Sequence, residues 1–174
     1  AGSGKTSALV DYRKMLAALD FDVAWLTLSP EDNDPQRFCD CLLASLAEVN
    51  PAMVQKSEAA LIHRGEYVQW ESWALTLAQE YLTPRDLVLV IDDLHWTDAP
   101  EIGRLLQALL EYAPERMHFA LGSRTVPPVA LGRLRSQNQI EEFEMRDLRF
   151  TAAESAQFLK EHIQGINDKD IATL

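Results

Sequence analysis

The chain predicts an α/β fold, a parallel sheet flanked by helices, and three observations carry that prediction. Helix-like and strand-like stretches alternate along its 174 residues, the order that builds a parallel sheet through helical crossovers. "DLVLVIDD" (residues 86–93) is apolar on both faces, as a central parallel strand must be. "AGSGKTS" sets Gly4, Lys5 and Thr6 directly before a helical pattern, where loop and helix N–H groups can wrap phosphate oxygens.

Taken in order, Gly4 leads into a helix through about Leu19, with Leu9, Met15, Leu16 and Leu19 as candidates for its buried side. "DVAWLTL" (22–28) is a short apolar run of strand type. In "NDPQRFCDCLLASLAEV" Asp34 can cap a helix and Pro35 suits its first turn. Phe38, Leu42, Leu46 and Val49 then recur at helical spacing on one side. Residues 51–65 read as loop with some helix, and "EYVQWESWALTLAQEYL" as a helix stopped before Pro84. After the 86–93 strand come a helix from about Asp98 to Glu111, with Asp98 as its N-cap, and a buried strand in "MHFALGSR" (117–124). "VPPVALGRLRSQNQ" predicts loop plus a short helix, and "IEEFEM" (140–145) a last short strand. Thr151 and Glu154 stand in capping-box spacing at the start of a final helix. These divisions predict a domain over 1–146 and the start of a helical subdomain over 147–174.

Composition narrows the function classes. A net charge of -11 argues against this segment gripping DNA or RNA, which needs concentrated Lys and Arg. The sequence holds no apolar run of membrane-spanning length and no signal-peptide pattern, so no membrane contact is expected, and the use of its two cysteines points to the cytoplasm. Cys39 and Cys41 sit two apart on a predicted helix, which suits reduced thiols rather than a shared metal. Glu31, Asp32 and Asp34 lack the glycine and distal glutamate of a calcium loop and read as a solvated turn.

The chemistry-bearing constellation starts at the amino end. A phosphate-binding loop reads G-x-x-x-x-G-K-[ST]; Gly4, Lys5 and Thr6 supply its end, and its first glycine would lie two positions before Ala1. In that pattern Lys5 reaches the β- and γ-phosphates, Thr6 ligates Mg²⁺, and Ser7 can donate to the α-phosphate, while Gly2 and Gly4 shape the loop. The alternative is a glycine turn with an exposed lysine. Asp92 then ends an apolar strand at the carboxyl edge, where ligands of open α/β sheets sit. It suits the acid that holds the Mg²⁺ shell, and Asp93 is the candidate for polarising an attacking water. Both acids could instead simply close the strand end. Arg124, after the strand that ends in Ser123, is placed to read or stabilise a terminal phosphate, or is an exposed loop arginine. His95 is assigned to packing or hydrogen bonding, because phosphoryl transfer needs positioning more than an imidazole. Trp70, Trp73 and Tyr81 are assigned to helix packing.

These stretches, with "DVAWLTLSPEDNDPQRFCDCLLASL", "LVLVIDDLHW" and "FALGSRTVPPVALGRLRSQNQIEEFEMRDLRFTAAESAQFL", resemble the nucleotide-binding domain of MalT-like, LuxR-family transcriptional regulators, within the signal-transduction ATPases with numerous domains. The resemblance implies a P-loop NTPase sheet whose first strand precedes Ala1. It implies ATP or ADP with Mg²⁺ as ligands: Lys5, Thr6 and Ser7 on phosphate and metal, Asp92 on Mg²⁺, Asp93 on water, Arg124 as a sensor arginine. Arg135 matches a recurrent arginine without an assigned role. It further implies an inducer-gated switch whose active form self-associates, with inducer and DNA engaged by domains outside this sequence, the DNA through a C-terminal helix-turn-helix.

The reading that follows is an ATP switch with weak, slow ATPase activity, since Asp93 is one methylene shorter than the glutamate many faster ATPases carry. A P-loop ATPase module of a cyclase- or kinase-linked protein would fit "IDDLHWTDAP" equally, and a non-catalytic interaction domain with a vestigial site is the third reading. No N-K-x-D motif for guanine is present.

Overall fold

The computed structural model describes residues 4–55, 57, 69–80, 85–149 and 151–162. Three parallel strands, β1 (Asp22–Thr27), β2 (Leu87–Asp92) and β3 (Met117–Leu121), make one sheet in the order β1-β2-β3. Among the described residues the helices are α1 (Lys5–Ala18), α2 (Pro35–Val49), α3 (Trp70–Glu80), α4 (Pro100–Tyr112), α5 (Leu131–Ser136) and α6 (Ala152–His162). The chain divides into two compact units, Thr6–Ile140 and a smaller one made of the residues on either side of it. The sheet lies in the first unit and α6 in the second.

All six residues of β2 are buried. Alternate side chains of a strand point to opposite faces, and the two faces of β2 feed two separate cores. Leu87, Leu89 and Ile91 join Phe38, Leu42, Leu46, Trp73, Leu105 and Leu109 from α2, α3 and α4. Val88 and Val90 join Leu16 of α1, with Leu9, Val23, Trp25 and Ala120 partly buried around them. Helices therefore cover both faces, which is why this strand has no polar position before its last residue. Registration aligns Thr27 of β1 with Asp92, and Ile91 with Leu121 of β3. The strands thus end together at one carboxyl edge.

Local signals account for the helix starts. The Asp34 carboxylate accepts from Arg37 N at 2.8 Å with Pro35 in the first turn, so α2 is capped as its sequence predicts. Thr151 N donates to Glu154 Oε2 at 2.7 Å while Glu154 N donates to Thr151 Oγ1 at 3.2 Å, closing the capping box of α6. Trp73 is fully buried and its Nε1 donates to Ser57 O at 3.0 Å, and Trp70 packs on the same core. Tyr81, Pro84 and most of 51–65 lie outside the described residues.

Five expectations are corrected. Met15 and Leu19 of the first helical stretch are exposed (52% and 61%), because α1 meets the sheet through Leu9 and Leu16, seven residues apart on one face. The 117–124 strand is only part-buried: Met117 is buried, His118 exposed and the rest half-buried. It pairs with β2 alone among the described residues, and an edge strand is covered on one side only. Residues 140–145 form no strand; Phe143 and Met145 are exposed, and Glu144 instead closes a turn with Asp147. Asp98 does not cap α4. Ala99 holds that position, and Asn33 Oδ1 accepts from both Asp98 N and Ala99 N while its Nδ2 donates to Asp98 Oδ1 at 2.6 Å. Finally, Asp32 is not solvated but buried, accepting from Ser29 N, Ser29 Oγ and Arg37 Nε at 2.6–2.8 Å.

Burial pushes the Asp32 carboxyl up, but the Ser29 and Arg37 bonds outweigh it and hold the group below the usual carboxylate range. A folded-state value held down stabilises the fold above the unfolded pKa, and that stability is lost as pH falls through the folded one. Asp32→Asn is expected to lower stability by about 1–3 kcal/mol near neutral pH and to flatten the acid limb below about pH 4. Urea denaturation across that range checks it; a variant whose acid limb matches wild type would contradict the assignment.

Candidate functional site

The carboxyl edge gathers three chain segments around Asp92. β2 delivers Asp92 with 1% exposure, and a buried carboxylate needs hydrogen-bond donors in place of water. Thr6 Oγ1, in the first turn of α1, donates to Asp92 Oδ2 at 2.8 Å. Asp93 N donates to Asp92 Oδ1 at 2.9 Å. The hydroxyl and carboxylate singled out in the sequence, 86 residues apart, are therefore in direct contact.

The third segment follows β3. Gly122 N donates to Ile91 O at 2.8 Å, and Leu94 N donates to Gly122 O at 2.9 Å, lacing the loops after β2 and β3 together. A Cβ on Gly122 would collide with Asp92 Oδ1 and stand 2.9 Å from Leu9 Cδ1. Glycine is required there by close approach. Sequence reasoning passed over it; the available signal was a glycine directly after a strand beside an acid-ending strand.

Gly4 adopts φ +73, the left-handed region that glycine enters without penalty, and α1 begins at the next residue. The first N–H groups of α1 have no intrahelical acceptor and stand where the positive end of the helix dipole lies. Lys5 is the first helical residue and is half-buried; Thr6 and Ser7 are exposed on the same turn. Gly2 lies outside the described residues.

Asp93 also has positive φ, at 57° with ψ 35°, a conformation that Asp tolerates better than most non-glycine residues. Such backbone settings cluster at functional sites. The turn at Leu94–Trp96 follows at once, held by Trp96 N donating to Asp93 O and Thr97 Oγ1 donating to Leu94 O. His95 packs as expected but makes no hydrogen bond among the described residues. Its ring sits tilted against Trp96 at 4.8 Å between centroids, with Nδ1 3.6 Å from Asp93 Oδ1, beyond hydrogen-bond length. Ser123 Oγ accepts from Thr125 N, and Arg124 is exposed on the same loop. Arg135 lies in α5.

No cluster of three or more His, Cys, Asp or Glu among the described residues could cage a metal. A hard cation at this edge would draw on Thr6, Asp92, water and ligand oxygens, the style of Mg²⁺ rather than of a closed protein site. Thr6 Oγ1 and Asp92 Oδ2 stand side by side, 2.8 Å apart, so both oxygens would be within reach of one cation. The donor set fits the ion. Cys39 and Cys41 take no part: burial pushes both thiols up, and both are free.

Comparison with known proteins adds an independent line. No protein-family model matches the chain. It is 33% identical over 162 residues to the HTH-type transcriptional regulator MalT of Serratia proteamaculans, covering 91% of this chain and 17% of that protein. The same-named regulators of Yersinia enterocolitica and Klebsiella pneumoniae are 32% identical over 162 residues and 31% over 159, with the same two coverages. The chain spans 17% of the length of these curated relatives.

Gly122→Ala is expected to displace the Asp92 carboxylate and cost about 1–3 kcal/mol of stability, the usual size of overpacking. Chemical denaturation reads the loss, and Gly132→Ala, whose Cβ meets nothing within 4 Å, serves as the control. Equal stability of the two variants would show that the edge accommodates a methyl group.

Proposed function

We propose that this chain, a MalT-like domain forming part of a transcriptional regulator, binds ATP with Mg²⁺ on a P-loop-type site and hydrolyses it slowly, as the nucleotide switch of that protein. The observation that carries the reading is the 2.8 Å bond between Thr6 and Asp92, which brings a helix-start hydroxyl and a strand-end carboxylate together. Lys5 and the N–H groups of the first turn take phosphate charge, with Ser7 on the α-phosphate and Gly2 and Gly4 giving the loop its close approach. Thr6 and Asp92 hold the metal, which when bound neutralises charge on the phosphates. Asp93 orients a water toward the terminal phosphate, and Arg124 stabilises charge as ADP leaves.

Slowness follows from positioning. Asp93 is a short side chain on a left-handed backbone, and in-line attack is sensitive to displacement of the water it holds. A switch needs long-lived loaded states, so slow turnover suits the role.

The relatives are named HTH-type regulators, and the reading extends that name to this protein. It acts in the cytoplasm, contacts DNA through a helix-turn-helix in another region, takes its inducer through a further domain, and self-associates when active. The -11 charge of this part suits a module that leaves DNA to another. Among the described residues no helix is long and apolar enough to cross a membrane.

ATP binding by the complete gene product, with and without Mg²⁺, tests the proposal. Lys5→Ala is expected to weaken binding about 10- to 100-fold, the size of one or two charge-assisted hydrogen bonds. Unchanged affinity in that variant would favour a vestigial site, and rapid hydrolysis without effector would remove the slow-switch reading.

A further inference from the structure

The imidazole of His95 packs against Trp96, but its two nitrogens do nothing that packing needs. Its side chain is only 10% exposed, yet neither ring nitrogen has a hydrogen-bond partner among the described residues. An orphaned buried polar group is destabilising, a loss that an apolar side chain of similar volume would avoid. The ring also has little freedom to find another partner. Trp96 lies against it at 4.8 Å, and its turn is tied to Gly122 and Asp93 by backbone bonds. An acceptor stands close by: Asp93 Oδ1 is 3.6 Å from Nδ1. Hydrogen-bond length lies only about 0.4 Å shorter.

We infer that His95 is a positioning residue: in the loaded protein its Nδ1–H holds one carboxylate oxygen of Asp93 and leaves the other to orient water. A neutral imidazole carries a single ring proton, and the carboxylate beside Nδ1 sets it there. The bond fixes the side chain that the left-handed backbone of Asp93 only aims. The inference rests on the nucleotide reading above and goes beyond it by naming what holds the water-orienting acid in place.

Three variants separate the two nitrogens. The Asn side-chain amide reaches close to where Nδ1 stands, the Gln amide reaches toward Nε2, and Leu supplies neither. In the complete gene product with Mg²⁺, single-turnover ATP hydrolysis is expected to fall about 10- to 100-fold in His95→Leu and His95→Gln, the size of a misplaced reacting group. His95→Asn should recover most of that loss, and all three should keep ATP affinity within about threefold of wild type. Should the variants not fold, or turnover be too slow to follow, histidine nitrogen-15 spectra of wild type with Mg²⁺ and a non-hydrolysable ATP analogue decide, with the Nδ1–H tautomer expected. An Nε2–H tautomer, or His95→Leu turning over at the wild-type rate, overturns the inference and leaves the nucleotide reading standing. Wild type that binds no ATP removes that reading and this inference together.

Discussion

A carboxylate that is 1% exposed at the end of an all-buried strand must take its hydrogen bonds from protein, and Asp92 is that carboxylate. Leaving a buried charge without partners costs more than a domain of this size can spare. The geometry around it follows from that need. α1 supplies the Thr6 hydroxyl, Asp93 supplies its own N–H, and Gly122 keeps its side clear of a Cβ. Two apolar cores hold β2 from opposite faces, so the acid is set by packing and cannot drift to find water.

The loops at this edge are fixed rather than draped. Asn33 grips the start of α4 with three hydrogen bonds, linking the connection after β1 to the one after β2. Asp32 beside it ties Ser29 to Arg37. Gly122 joins the connection after β3 to Leu94. Backbone and side-chain bonds of this kind hold the side chains at this edge to a narrow tolerance.

Much of the architecture was legible because it rests on local chemistry. The apolar run 87–91 announced a doubly covered strand, Asp34-Pro35 announced α2, and Thr151 with Glu154 announced α6. Where long-range packing decides, the sequence misled. Met15 and Leu19 look like core, but the sheet takes only the face of Leu9 and Leu16. "IEEFEM" has strand composition, yet a strand forms only against a paired edge, and these residues have none. Asp98 precedes a helix with cap chemistry, but Asn33, 65 residues away, bonds that turn instead. In the candidate site, the motifs assigned Thr6 and Asp92 separately to one Mg²⁺, and the structure puts the two side chains in contact. The need for glycine at 122, the left-handed Asp93 and the orphaned His95 were not anticipated, since each depends on how two loops meet in space.

Under the proposed function Thr6 and Asp92, in contact at 2.8 Å, act as one unit toward a single cation. A double-mutant cycle on Mg²⁺-dependent ATP affinity, with Thr6→Val, Asp92→Asn and the pair in the complete gene product, measures this most directly. Partners that share a ligand should be non-additive, with the double variant little worse than the worse single one and a coupling of about 1–3 kcal/mol. Additive losses, or losses equally large without Mg²⁺, would contradict it.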